Sequence, residues 1–292
     1  MNWNKRAGAL ALAALLAVSL SACAGGDQTA EVEAAQAKLE AAESFDSVYR
    51  TELEYSVEDE EGGEARTMSV VNEMAVTLFT APEPRLKASA TVEATAGEES
   101  MSQNTNIYML REGEGYSQYL NIGERWAKMA VEASAMEEMK PADSIQLFLT
   151  EGAAYRKVGT ETLEGGNAVK YESTIKGAAL VETLDGVGLL KSISSMSEDQ
   201  QNRIKDDLEK NLKGQAVHIW VDEAGGYPVR YEMDLTGTMA EAEASISKTL
   251  GGYDGGDSQT LTRAVISMTC TRFNDATEIV LPDEAAGAEV LG

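Results

Sequence analysis

The first periodic pattern in the chain follows a stretch of small residues that begins at Ala24. Apolar residues recur there at intervals of three or four, a spacing that places them on one face of an α-helix. They are Val32, Ala35, Leu39 and Ala42. We therefore expect an amphipathic helix that packs this face against the rest of the fold.

The apolar period then changes to two, which is typical of β-strands with one face towards water. Three long segments predict strands, at 49–58, 68–80 and 85–95. Shorter strands are predicted at 107–110, 116–120, 126–129, 155–163, 168–175, 217–222, 228–235 and 264–271. Several of these are separated by glycine-containing turns, and this recurrence favours an antiparallel meander over parallel strands joined by helices.

Two longer segments break the strand pattern and predict helices, at 131–149 and 178–212. The second segment contains Ser197 and Gln200, whose spacing is that of a capping box at the start of a helix. A sheet with one apolar face must pack that face on another layer, and these helices can supply it. The sequence thus predicts an α+β fold in which a curved antiparallel sheet packs against helices.

The start of the chain has the three regions of a bacterial secretion signal. Lys5 and Arg6 precede an apolar run at 7–20, which is shorter than the roughly 20 residues of a transmembrane helix. Small residues then lead to a cysteine, and the Leu-Ser-Ala-Cys sequence at 20–23 resembles the lipobox of bacterial lipoproteins. The alternative is an ordinary signal peptide followed by an incidental cysteine.

The lipobox resemblance implies that the thiol of Cys23 carries a diacylglyceryl group and that the chain is cut before this residue. Two acyl chains hold a protein on a membrane, whereas one binds only marginally. We expect a signal peptide at 1–22, a lipidated cysteine with a linker at 23–28, a single domain at 29–284 and a disordered tail at 285–292. The protein would then lie on the extracytoplasmic face of the cell membrane, held there by its lipid anchor.

The charge balance is strongly acidic, with 49 Asp and Glu against 24 Lys and Arg and a net charge of −25. A surface of this sign repels the phosphates of nucleic acids, so we expect no nucleic-acid partner. It also repels anionic lipid head groups, so the folded domain should stand away from the bilayer at the end of its linker. No sequence feature identifies a protein partner.

Residues that carry catalysis or bind metals are scarce. His218 is the only histidine, and alternation places it opposite the aliphatic residues of its strand, as a solvent-facing or hydrogen-bonded side chain. Cys270 falls in an apolar strand, where a buried and inert thiol is expected. The sequence contains no nucleophile-elbow, phosphate-loop or dinucleotide motif. We expect no enzyme activity, no metal and no cofactor.

Four stretches combine strand and turn patterns in a specific order, at 80–87, 124–128, 157–166, and 218–222 with 226–231. Together with the lipobox, this order resembles the LolA-like superfamily, and within it the LppX/LprG-type lipoproteins and related Gram-positive lipoproteins. The resemblance implies a half-barrel of antiparallel strands capped by helices, with an apolar cavity between the two layers that holds lipid chains. The high acidity and the long second helical segment depart from the family and leave the identity of the ligand open.

The expected cavity is lined by apolar residues from both layers. Its sheet wall would consist of Leu53, Tyr55, Val76, Leu78, Leu86, Ala88, Ala90, Ile107 and Met109. Its helical side would consist of Met136, Met139, Phe148, Leu180, Leu184 and Leu208. The small side chains of Ala88 and Ala90 either leave room for a ligand or allow the helices to pack closely, and both interpretations stay open.

Two functions from different classes follow from these patterns. The first is a membrane-anchored extracytoplasmic lipoprotein that binds or carries a lipid or another apolar ligand between sheet and helices. The alternative is a non-enzymatic surface, sensor or scaffold lipoprotein that engages protein partners and has no ligand cavity. Space between the two layers favours the first function, and a completely filled interface favours the second.

Overall fold

The computed structural model describes residues 26–58, 65–123, 125–134, 145, 148–149, 153–186, 190, 193–249 and 259–291. Three residues of the expected site lie outside these described residues, and they are Cys23, Met136 and Met139. Most of the first predicted helical segment, at 131–149, also lies outside them.

The described residues form an α+β fold with one large sheet. Its helices are α1 (Thr29–Glu40), α2 (Ala178–Gly186), α3 (Glu198–Asn211) and α4 (Thr236–Thr249), with a 3-10 helix at Asp283–Gly287. The first six strands are β1 (Ser44–Val57), β2 (Arg66–Phe79), β3 (Arg85–Ala96), β4 (Glu99–Glu112), β5 (Gly115–Ile122) and β6 (Arg125–Val131). The other six are β7 (Arg156–Leu163), β8 (Gly166–Ile175), β9 (Gln215–Asp222), β10 (Pro228–Asp234), β11 (Gln259–Thr271) and β12 (Glu289–Val290).

The sheet is a meander in two halves. Its strand order is β12-β6-β5-β4-β3-β2-β1-β11-β10-β9-β8-β7, so strands that are adjacent in the sheet are consecutive in sequence except where β1 meets β11 and β12 meets β6. Every pairing is antiparallel apart from that of β12 with β6. The sheet is open and curved, which confirms the fold class that the alternating pattern predicts.

The helices cover one face of the sheet, which we call the inner face. They and β8 to β11 share one core cluster, in which Leu39, Leu184, Leu208, Ile219 and Tyr231 are fully buried. Burying side chains of this size contributes about 1.5–3 kcal/mol each, so this layer of contacts supplies a large part of the folding free energy. The predicted amphipathic helix and the two-layer arrangement are both present.

The capping box at the start of α3 forms as predicted. The backbone N–H and the hydroxyl of Ser197 both donate to Oε1 of Gln200, at 3.2 and 2.9 Å. These bonds fix the first turn of the helix, and Ile204 and Leu208 then face the core.

Two elements differ from the sequence-based expectation because pairing or packing determines them. Strand β4 begins at Glu99 rather than at residue 107, since 99–106 is polar on both faces apart from Met101 and shows no alternation, yet pairs in register with β3. Helix α4 was not predicted. Its start is held by Asp234, whose Oδ1 accepts hydrogen bonds from the backbone N–H and the hydroxyl of Thr236.

The end of the chain also differs from the disordered tail expected at 285–292. Ala285 is buried in the 3-10 helix, and β12 pairs with β6. The reason is apolar packing, because Ile279 and Leu281 lie against the outer-face aromatic rings of Tyr108 and Trp126. These contacts order a segment whose own composition carries no periodic signal.

Candidate functional site

The strand register brings the nine predicted sheet residues onto the inner face. Residues directly opposite each other in an antiparallel sheet point to the same side. Leu78 lies opposite Leu86, and Leu86 lies opposite Met109. The next row holds Val76, Ala88 and Ile107. The remaining three residues, Leu53, Tyr55 and Ala90, lie on the same face opposite Val70, Met68 and Met74.

The inner face of β1 to β4 is uncharged over five consecutive rows. Those rows contain Phe45, Ser47, Tyr49, Thr51 and Leu53 of β1, even positions 70–78 of β2, even positions 86–94 of β3 and odd positions 101–109 of β4. The charged side chains of the same segments point to the outer face, and they are Asp46, Arg50, Glu52, Glu73, Lys87 and Glu93. Because an unpaired charge is costly on an apolar surface, this separation marks a face built to contact apolar groups.

The outer-face charges instead pair with one another. Arg50 contacts Glu52 at 2.7 Å and Glu73 at 2.9 Å, and Arg263 contacts Glu52 at 2.8 Å. These hydrogen-bonded arginines hold the pKa of Glu52 below its ordinary value. The outer face is thus a solvated ionic surface, in contrast to the inner face.

Only part of the inner face lies under the helices. Leu78 and Ala88 are each 6% exposed, and the core cluster reaches Val76 and Leu86. Exposure rises further along the strands, to 37% at Met68, 40% at Met74, 40% at Val92 and 68% at Met101. The described residues therefore leave an apolar surface open on β2 to β4, next to the packed core.

The predicted residues of the helical layer occupy the packed part. Leu180, Leu184 and Leu208 have no exposed surface, and the ring of Phe148 lies 5.4 Å from that of Tyr231. These side chains fill the interface between the helices and β8 to β11. The open apolar surface comes from the sheet residues of β2 to β4 instead.

A half-buried carboxyl group lies beside the open surface. Glu243 of α4 has its pKa raised by burial. Its charge, together with the larger effect of burial, raises the pKa of Tyr55 on the inner face. The helix layer thus presents an acidic group near the Tyr55 end of this face.

A second concave feature lies away from the predicted residues. It is a cleft of about 420 Å³ where the β7–β8 turn, the β9–β10 turn and the end of β11 meet. Its lining includes Gly166, Asp222, Val229, Cys270 and Phe273, and none of the predicted cavity residues. Sequence reasoning missed it because two turns and a strand end, far apart along the chain, form it.

The groups with catalytic potential are placed as the sequence predicts. His218 lies on the outer side of β9, with Nε2 3.1 Å from a carboxylate oxygen of Glu172. Cys270 is fully buried, and burial raises its pKa to about 12, so its thiol is protonated and unreactive. Within the described residues, no group of three His, Cys, Asp or Glu side chains could hold a metal ion.

Among the described helices, none is long and apolar enough to cross a membrane.

Comparison with known proteins gives structural neighbours only. No family model and no curated protein matches the sequence. The chain is similar to the lipoprotein LppX of Mycobacterium tuberculosis. That likeness covers 86% of this chain and 97% of LppX, at 13% identity and a TM-score of 0.37.

Two further solved structures show weaker likeness. A DUF1329 family protein from Desulfovibrio piger is 10% identical, with 87% of this chain and 95% of that chain covered and a TM-score of 0.23. An outer-membrane lipoprotein-sorting protein domain from Vibrio parahaemolyticus is 9% identical, with 85% and 93% covered and a TM-score of 0.19. LppX and the sorting domain are proteins of the kind named in the sequence resemblance. Because all three TM-scores are low, the description of the fold rests on the strand register and packing given above.

Proposed function

We propose that this protein is an extracytoplasmic lipoprotein, anchored by lipid on Cys23, that binds or carries a lipid or another apolar ligand on the inner face of its sheet. The observation that carries the proposal is the open part of that face. It is largely apolar and carries no charge over five rows, in a chain of net charge −25, and Met74, Val92 and Met101 are exposed on it. Contiguous exposed apolar surface usually marks a binding site.

The energetics of such a site need no charged partner. Apolar surface removed from water contributes about 25 cal/mol per Å², so an acyl chain laid along several inner rows gains binding energy from contact alone. Methionine side chains adapt to irregular apolar shapes, which suits a loosely selective carrier. We propose carriage rather than catalysis, since the described inner face of β1 to β4 presents apolar, hydroxyl and amide side chains but no nucleophile paired with a base.

The lipid anchor would place the site where apolar ligands are abundant. Two acyl chains on Cys23 give stable attachment, and the acidic domain would stand off an anionic bilayer. The linker and the net charge of −25 thus favour a domain that meets lipids without lying flat on the head groups.

The experiment that tests the proposal is lipid identification on the protein as cells make it. The full-length chain is purified from membranes in a mild detergent, the detergent is exchanged extensively, and native mass spectrometry records any retained lipid beyond the covalent anchor. We expect a stoichiometric adduct that organic extraction removes. A protein that carries only its covalent anchor, and gains no adduct when lipid is added, contradicts the proposal and favours the scaffold alternative.

A further inference from the structure

A row of polar, uncharged side chains crosses the open part of the inner face. Thr51 of β1 lies opposite Asn72 of β2, Asn72 lies opposite Val92 of β3, and Val92 lies opposite Gln103 of β4. Thr105 lies in the neighbouring row, opposite Ala90. With strands about 4.8 Å apart, the two amide groups are about 10 Å from each other, on either side of Val92.

The inner-face amides lack partners that the outer-face amides have. On the outer face of β4, Asn104 donates to the hydroxyl of Thr91 at 3.0 Å, and Asn106 donates to Asn104 at 2.9 Å. The side-chain amides of Asn72 and Gln103 make no hydrogen bond within the part of the chain that the structure describes. Asn72 is only partly exposed, whereas Gln103 is exposed. A half-buried amide on an apolar surface is stabilised when a ligand supplies the missing hydrogen bonds.

Apolar rows flank this polar row on both sides. Towards the helices lie Val76, Ala88 and Ile107, and away from them lie Val70 and Met101. Successive rows are about 6.7 Å apart along the strands. A ligand that fits both features has apolar chains and a compact group that exchanges hydrogen bonds with the amides.

The charges around the row oppose an anionic head group. On the described strands β1 to β6, the inner-side cations stand at strand ends, and they are Arg66, Arg111 and Arg125. Arg111 is ion-paired with Glu83 at 3.4 Å, and Arg125 lies two strands from Thr105, about 10 Å away at the strand spacing. The acidic group at the Tyr55 end is Glu243, and the chain carries a net charge of −25. On the described strands β1 to β4, no cation shares a row with the two amides, and the net charge of the chain opposes a phosphate there.

We infer that the inner face takes an uncharged lipid with hydroxyl groups in its head group, of the diacylglycerol or glycosyl diacylglycerol class, and that Asn72 and Gln103 bind those hydroxyls. This inference rests on the proposed function, since it names the ligand class of the same site. The amides donate to and accept from the hydroxyls, and the flanking apolar rows contact the acyl chains.

The test compares three lipids with the same acyl chains on the full-length protein in a mild detergent. Native mass spectrometry follows the titration with dioleoylglycerol, monoglucosyl dioleoylglycerol and dioleoyl phosphatidylglycerol. We expect the two neutral lipids to bind at least tenfold more tightly than phosphatidylglycerol. The double variant Asn72→Leu/Gln103→Leu should lose about tenfold in affinity for the neutral lipids, because two hydrogen bonds are removed.

The matched control is Asn104→Leu/Asn106→Leu, which makes the same kind of change on the outer face of β4 and should leave neutral-lipid affinity unchanged. Circular dichroism checks that both double variants are folded. Equal binding of phosphatidylglycerol and the neutral lipids overturns the inference and leaves the carrier function standing. If Asn72→Leu/Gln103→Leu binds the neutral lipids as tightly as wild type does, the inference is also overturned and the carrier function still stands. Failure of wild-type protein to bind any of the three lipids removes the inference together with the proposed function.

Discussion

Ala90 on β3 lies directly opposite Met74 on β2, and both side chains face the inner side of the sheet. One row closer to the helices, Ala88 lies opposite Val76 and is 6% exposed, whereas Met74 is 40% exposed. The border between packed and open sheet therefore passes between two alanines of one strand. Ala88 serves close packing, and Ala90 leaves room beside an exposed methionine.

This border predicts the effect of filling the open side. Ala90→Trp should lower the affinity for an added lipid by about tenfold, because the indole occupies the surface on which the acyl chains would lie. Native mass spectrometry of the full-length protein measures the affinity. The free energy of unfolding should change by less than about 1 kcal/mol, since the site is half-open.

The matched control is Ala75→Trp. Ala75 follows Met74 on β2, and its side chain is exposed on the outer face of the sheet. It should leave lipid affinity unchanged. If both tryptophan variants bind lipid as well as wild type does, the ligand does not lie on this part of the sheet.

The strand alternation was enough to predict which strand residues face the inner side of the sheet. A one-residue shift of register moves every side chain of a strand to the other face. The alternation of apolar and polar residues therefore determines which positions of β1 to β3 point inward. The sheet order could not be deduced in this way, since the contact of β1 with β11 joins residues more than two hundred positions apart, such as Asp46 and Thr271. Tertiary packing decides that pairing.

Sequence reasoning was less successful where the informative residue is polar. Asn72 and Gln103 sit at inner positions, but in the sequence they read only as interruptions of an apolar pattern. Helix α4 was missed although Met239, Ala242 and Ile246 have helical spacing, because strand-like alternation continues up to Leu235. The helix residues Leu180 and Leu184 were predicted to line the helical side of a cavity, but the sequence could not show whether they cover filled or open space.

The packed part of the helix layer predicts a purely structural effect. Leu208→Ala should lower the free energy of unfolding by about 2–5 kcal/mol, because this fully buried side chain leaves a cavity under α3. Chemical denaturation followed by circular dichroism measures the change. Met101→Ala, at a site that is 68% exposed, should cost less than about 1 kcal/mol. A small loss for Leu208→Ala would mean that this helix packs on the sheet less tightly than the structure has it.

An outer-face cluster predicts a stability change in acid. The Lys128 ammonium lies 2.5 Å from Glu112, and it and the Tyr119 hydroxyl lower the pKa of Glu112 to about 2, against 4.5 for the unfolded chain. The folded value is the lower one, so the contribution is present above pH 4.5 and is lost as the pH falls towards 2. Glu112 is 41% exposed, so solvent screening keeps the contribution at about 0.2–1 kcal/mol.

The measurement for this cluster is the unfolding free energy of wild type and Glu112→Gln at several pH values. The wild type should be the more stable protein at pH 6, and the difference should disappear near pH 2. The variant Glu114→Gln alters an exposed carboxylate two residues away, and it should show no comparable dependence. A difference between wild type and Glu112→Gln that does not vary with pH would show that the ion pair contributes nothing to it.

Substitution by alanine should affect membrane attachment at one of the two cysteines and not at the other. Cys23→Ala should abolish incorporation of labelled fatty acid and release the protein from washed membranes, because lipid on this thiol is the proposed anchor. Cys270→Ala should keep both the label and the membrane association, since Cys270 is buried and its thiol is protonated. Fractionation and metabolic labelling of cells that express each variant measure these outcomes. If the Cys23→Ala protein stays on the membrane after a wash with high salt, a different element holds it there. If wild type carries no label, the lipobox reading of residues 20–23 is wrong, and the segment is an ordinary secretion signal.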